Sequence, residues 1–130
     1  MIFLERILKH RDGRILTYVK NMREIDNLIE IYLTGPIDVN TVPCVCADLQ
    51  GKFSKYLDRN ILLDFSDVTH VDSATIANLI LLIKELQQRH RKLGVIHVGD
   101  DLESFIELDK VRTLIHIYMD EEEALKDLSL

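Results

Sequence analysis

Two adjoining patterns constrain this chain more than anything else in it. The run Ile61-Leu62-Leu63-Asp64-Phe65 is followed by Ile76, Leu79, Ile80, Ile83 and Leu86 at helical spacing. The first run has almost no polar face, so it predicts a short strand covered on both sides at the centre of a sheet. The second recurs every three or four residues and predicts a helix with one apolar stripe. Between them Ser66 to Thr69 predicts a polar break before Val71, and Asp72-Ser73 stands where the strand period gives way to the helix period.

The flanking sequence repeats the alternation. After Asp12-Gly13, Ile15, Thr17 and Val19 alternate with Leu16 and Tyr18. Asn21 to Asn27 predicts a connection, and Leu28 to Thr34 a second strand with Ile29, Ile31 and Leu33 on one face. The pair predicts a β-hairpin. Gly35-Pro36 ends it, because proline supplies no ladder donor. From Asn40, Val42, Cys46, Leu49, Phe53 and Leu57 carry helical spacing, with Pro43 in the first turn. Beyond the polar tail Gln87 to Lys92, Leu93 to Val98 predicts a strand and Gly99-Asp100 a turn. Leu102, Phe105 and Ile106 predict a short helix, and Leu114 to Tyr118 the last strand. In the final helix Asp120 is placed to cap and Glu123 to complete a capping box, with Ala124, Leu125 and Leu128 inward. The order is β-β-α-β-α-β-α-β-α. It defines an α/β fold with a mixed β-sheet, an N-terminal hairpin and successive strand-helix crossovers of the usual right hand. Residues 1–13 fit either a helix side or an edge strand and are read as an N-terminal extension; residues 14–130 form the domain.

At 130 residues, 47% hydrophobic and 29% charged, the chain has the size and balance of one domain with its own core. The net charge of -6 argues against a broad nucleic-acid surface, which needs a concentrated basic patch. Arg89 to Lys92 is short and suits the negative end of a helix, as Glu121 to Glu123 suits the positive end of the next. Cys44 and Cys46 supply too few ligands for a structural zinc site. No stretch approaches the ~20 apolar residues of a transmembrane segment, and the first residues lack the pattern of a secretory signal. The cytoplasm is therefore the expected compartment. The run Leu79 to Ile83 is apolar beyond a narrow stripe, for which core burial is the main expectation; an exposed Leu81 or Leu82 would add surface for a dimer or partner.

Carboxylates gather where the strands end. Asp64, Asp67 and Asp72 surround the central one and Asp38 follows another, a placement open both to acid-base or magnesium chemistry and to loop capping. No His, Cys or Lys is placed to complete a reaction, so neither catalytic residue, metal nor cofactor is expected, and the chain is read as a non-enzyme. Ser73 can serve as an N-cap or first-turn hydroxyl, or accept a phosphoryl group at the positive end of a helix. His70 nearby does not form a nucleophile-base pair with it by strand geometry.

The segment Ile61 to Ile76, with its Leu63-Asp64-Phe65-Ser66 and Val71-Asp72-Ser73-Ala74-Thr75, resembles the core signature of STAS domains, and Leu33-Thr34-Gly35-Pro36-Ile37-Asp38 resembles an earlier motif of that family. The resemblance covers about residues 14 to 127. It implies a STAS-like fold and, in the branch of bacterial anti-sigma factor antagonists, a protein-binding regulator of transcription in a phosphorylation-controlled partner switch. It implies phosphorylation of Ser73 and a partner-binding surface of Asp38, Asp72, Ser73, Thr75 and Ile76. The partner would be an anti-sigma factor or a serine kinase-like signalling protein, with a homodimer as a further arrangement. Ala74 stands where that branch often has a second hydroxyl, Thr75 where it often has glycine, and Pro36 where an acidic residue is frequent. These departures leave open an unphosphorylated STAS accessory or sensing module in a lipid-transport or signalling complex.

Overall fold

The computed structural model describes residues 19–41, 58–108 and 113–129. Its strands are β1 (Val19–Ile25), β2 (Leu28–Ile37), β3 (Asn60–Val71), β4 (Leu93–Ile96) and β5 (His116–Ile117). Its helices are α1 (Ser73–Gln88), α2 (Asp100–Leu108) and α3 (Glu121–Leu128). The strands form one sheet in chain order, β1-β2-β3-β4-β5. β1 is antiparallel to β2, and the remaining neighbours are parallel. This is the mixed sheet that the alternation predicted.

Period-two alternation divides the strands between two layers. Ile29, Ile31 and Leu33 of β2, Ile61, Leu63 and Phe65 of β3 and Val95 of β4 meet Ile76, Leu79, Leu82, Ile83 and Leu86 of α1, with Leu102 and Ile106 of α2. On the opposite face Leu28, Leu62 and Ile96 meet Tyr118 and the α3 residues Ala124 and Leu128. Each strand from β3 on is laid down on the same side of its predecessor, so crossovers of one hand place α1 and α2 on the same face. Gly94 permits the second layer. A Cβ there would lie 2.5 Å from Cε2 of Tyr118 and 2.9 Å from Cδ1 of Leu128.

Several boundaries differ from those expected. The hairpin turn is only Asp26-Asn27, since the register closes at Ile25↔Leu28, and Asp26 takes φ 50. Residues 21–25, predicted as a connection, are strand. They look polar because β1 is an edge strand; Met22 is buried while Asn21, Arg23 and Glu24 are exposed. The proposed strand at 15–18 and the helix at 42–57, with both cysteines, lie outside the described residues. β3 continues through the predicted break at Ser66–Thr69. Its register against β2 passes from Tyr32↔Asp64 to Thr34↔Asp67 and from Gly35↔Val68 to Pro36↔His70, so β3 carries an extra residue twice. Such bulges upset the inward-outward alternation on which a strand assignment depends. β5 has contracted to two residues, although Tyr118 N–H still donates to Val95 C=O at 3.0 Å.

The helix ends follow local chemistry. At the end of α1, His90 takes φ 58, its N–H donates to Gln87 C=O, and Arg91 N–H donates to Leu86 C=O at 2.8 Å. That is a Schellman closure, with histidine where glycine is usual. Arg89 meanwhile pairs with Asp58 and Glu85. In α3, Asp120 caps by accepting from Glu123 N–H at 2.8 Å. The Glu123 carboxylate accepts from Met119 N–H rather than from the Asp120 N–H that the capping-box spacing predicted.

Candidate protein-interaction site

The two segments singled out in the sequence meet at the carboxyl end of the sheet. β2 and β3 finish side by side, Ile37 opposite Val71, which brings the Asp38–Thr41 turn beside the start of α1. The turn is self-organised. Asp38 N–H donates to Thr41 Oγ1 at 3.0 Å, the Thr41 hydroxyl donates to Pro36 C=O at 2.8 Å, and Asn40 N–H donates to Asp38 Oδ1 at 2.9 Å.

Asp72, not Ser73, is the N-cap. Its backbone is extended, and Oδ1 accepts from Ala74 N–H at 3.0 Å, satisfying a first-turn donor. Its other oxygen, Oδ2, accepts from Val39 N–H at 3.0 Å. One carboxylate therefore ties the helix entrance to the β2 turn. Thr75 makes a second tie: its hydroxyl donates to Ile37 C=O at 2.6 Å and accepts from Asp72 N–H at 3.4 Å.

Ser73 is thereby left as the first helical residue. It is exposed, and among the described residues nothing hydrogen-bonds its hydroxyl. The first turn of α1 contains no acidic residue, so a negative group on Ser73 would meet the positive helix end without an anionic neighbour inside the helix. Val39, 59% exposed, flanks the same entrance. Val39 carries no such signal in the residues alone: only the fold brings the β2 turn beside the start of α1.

Not every expected contact residue reaches the surface. Thr75 and Ile76 are 0% and 1% exposed. They hold the entrance from beneath, so of the expected surface Ser73 is exposed and Asp38 and Asp72 are half-buried, with the exposed Val39 added. The β-branched Thr75 is accommodated because its hydroxyl bridges two backbone groups. The other carboxylates are directed elsewhere. Asp64 Oδ1 accepts from Ser66 N–H at 2.8 Å and lies 3.1 Å from Nδ1 of His97. Among the described residues no three His, Cys, Asp or Glu side chains are grouped to hold a metal ion. Leu82 is fully buried as expected, whereas Leu81 is 57% exposed on the outside of α1.

The groups with displaced pKa values lie away from this entrance. Glu30 is wholly buried on β2, and its carboxyl is raised by burial, partly offset by the hydrogen bond from Tyr32; Arg23 donates to the same oxygen, Oε1, at 2.9 Å. Burial and that carboxylate push the Tyr32 hydroxyl up to about 12. Arg23 is raised chiefly by its 2.7 Å bond to Glu121. Tyr118 is raised by burial and by its hydrogen bond to Asp127. The shifts of Arg23, Glu30 and Tyr32 belong to the junction of the hairpin with Glu121 of α3, and that of Tyr118 to its packing against α3.

A mixed sheet whose central strand leads into a helix opened by an exposed serine defines a small α/β module. The chain belongs to the STAS domain family, whose model matches residues 19–124. It is 24% identical over 92 residues to the anti-sigma-B factor antagonist of Staphylococcus aureus strain NCTC 8325, covering 71% of this chain and 84% of the relative. Its fold resembles an anti-sigma factor antagonist from Mycobacterium paratuberculosis, with a TM-score of 0.70, 18% identity and coverage of 82% of this chain and 90% of that one. It also resembles the Bacillus cell fate determinant SpoIIAA in its phosphorylated form, with a TM-score of 0.61, 16% identity and coverage of 81% and 95%. Among the described residues no helix is long and apolar enough to cross a membrane.

Proposed function

We propose that this STAS domain is an anti-sigma factor antagonist, a non-enzymatic regulator that binds an anti-sigma factor or serine kinase-like protein through the Asp38, Val39, Asp72 and Ser73 surface. The observation that carries this reading is the exposed Ser73 hydroxyl at the first position of α1, unbonded among the described residues, with Asp72 already serving as the cap. A serine that capped its own helix would lose that role on modification; here the cap is a different residue. A phosphoryl group on Ser73 brings about -1.5 to -2 charges. It would stand beside Asp72 and the Asp38 turn, turning a weakly acidic surface into a strongly acidic one while the core stays intact. The names of the Staphylococcus and Mycobacterium relatives support the partner class, and the phosphorylated state of the Bacillus relative supports the mode of control.

Pull-down from the native host followed by intact-mass analysis and phosphosite mapping tests the reading. The expected result is a captured anti-sigma or kinase-like partner and one added phosphoryl group at Ser73. With that partner purified, Ser73→Asp should keep the wild-type circular dichroism spectrum and lose at least about tenfold in affinity, a repulsion of roughly 1.4 kcal/mol. Unchanged affinity in a folded Ser73→Asp protein sinks the charge switch. Stable association without modification instead favours the accessory module.

A further inference from the structure

The Ser73 entrance leaves the basic run Arg89 to Lys92 without a role. It lies at the other end of α1, about 24 Å away along 16 helical residues. The negative helix end favours these charges but binds none of the side chains. The last turn of α1 contains no basic residue, and the Leu86 and Gln87 carbonyls accept from backbone N–H groups of residues 89–91. Of the four cations Arg89 is engaged, 3.1 Å from Asp58 and 3.5 Å from Glu85. Among the described residues, the side chains of His90, Arg91 and Lys92 have neither an ion pair nor a hydrogen bond.

Three details distinguish this loop from a solvated turn. Its backbone is fixed: Lys92 N–H donates to Asn60 Oδ1 at 2.9 Å, and Lys92 C=O accepts from Ile61 N–H at 3.0 Å. The exposed His90 holds φ 58, where glycine would be free of strain, so an imidazole is kept there at a backbone cost. Arg91 is half-buried and its Nε is enclosed without an acceptor, a loss that a bound acceptor recovers. The acids at this end of the sheet do not supply that acceptor. Asp58 and Glu85 are taken by Arg89, Glu24 lies 3.3 Å from Arg59, and Asp26, exposed in the hairpin turn, makes no ion pair among the described residues.

We infer that His90, Arg91 and Lys92 form a second interaction site, which takes a short acidic segment of a partner protein. No hydrogen bond holds the Arg91 guanidinium inward, so it turns to place Nε and a terminal nitrogen on one carboxylate, the forked geometry that arginine provides and lysine does not. Lys92 and the His90 ring meet the neighbouring carboxylates. The occupant is a protein segment rather than a nucleic acid or a membrane, because three cations on one loop make no broad basic face. Glu24, Asp26, Asp58 and Glu85 around them, on a chain of net charge -6, repel an extended polyanion. Two or three carboxylates on a narrow segment avoid those acids.

The test is a titration of ¹⁵N-labelled full-length protein with the peptide acetyl-Glu-Asp-Glu-Asp-Glu-amide at constant pH, followed at the backbone amides and at the Arg91 Nε–H resonance. Saturable shifts are expected at residues 89–92 and at Arg91 Nε–H, and none with acetyl-Gln-Asn-Gln-Asn-Gln-amide. Arg91→Lys keeps the charge but loses the fork, and should bind about tenfold more weakly. His90→Gly relieves the backbone, so it should raise Tm while weakening binding severalfold, which separates lost contacts from lost folding. Ser73→Asp should leave peptide binding unchanged, which separates failure of this inference from failure of the phosphorylation reading. Absence of saturable shifts, shifts on another face, or equal binding by Arg91→Lys would overturn it. Broadening of these resonances by phosphatidylglycerol vesicles with no response to peptide would overturn it in favour of a membrane surface.

Discussion

The two halves of β3 have the same backbone but opposite surroundings. Ile61 to Asp64 lie between β2 and β4 and are all buried, with a helix layer on each face of the sheet. Ser66, Asp67, Thr69 and His70 lie beyond the β4 ladder, along β2, and are exposed. The contrast shows that the first half holds the fold and the second extends the sheet to where binding surfaces can be built. A strand need not be uniformly apolar to be continuous. It needs burial only where neighbours exist.

The widest separation between the halves should appear on truncation of the buried one. Leu63→Ala removes a side chain that is 1% exposed at the centre of the main core, and should cost about 2–5 kcal/mol in urea denaturation. A loss below about 1 kcal/mol would mean that this half is less tightly packed than its burial indicates.

Glu30 tests the same half from β2, where it stands opposite Leu62. Its Oε2 is buried without a hydrogen-bond partner, and burial raises its pKa in the folded protein. A raised carboxyl favours the folded state while protonated. That contribution is complete below the unfolded-state value and is lost as pH rises through the raised folded-state value. Glu30→Gln should therefore become progressively more stable than wild type as pH rises across that window. The gain should level off near 1 kcal/mol, the scale of one unsatisfied buried group. Thermal denaturation at a series of pH values measures it; a variant less stable at neutral pH would show that the Arg23 and Tyr32 bonds outweigh burial. The smallest effect belongs to the open half: Thr69→Ala should stay within about 0.5 kcal/mol of wild type by the same measurement.

Much of this arrangement was legible in the residues. Ile61 to Phe65, the α1 stripe and the hairpin partner Leu28 to Thr34 each occupy a strongly apolar setting, so their periods survive in the sequence. β1 and the far end of β3 were misread for one reason: an edge strand or a bulged strand next to solvent does not carry the alternation that identifies a strand. At the site, Asp72 and Ser73 were legible from their position before a helical stripe, and Asp38 from the motif. Their division of labour was not. Whether aspartate or serine caps depends on where the extended residue falls, and the burial of Thr75 depends on Ile37, which is remote in sequence. Val39 enters only because two strand ends are adjacent in space.

The order of the sheet bears on how the molecule is made. Every described strand lies beside its predecessor in the chain, so as synthesis proceeds each of these strands meets a neighbour that has already emerged. The hairpin can provide the first template, and β3, β4 and β5 can be added successively without inserting between strands already joined. α3 comes last, closing the second face over Leu28, Leu62 and Ile96. α3, which follows every described strand, therefore completes a layer founded by β2, one of the first.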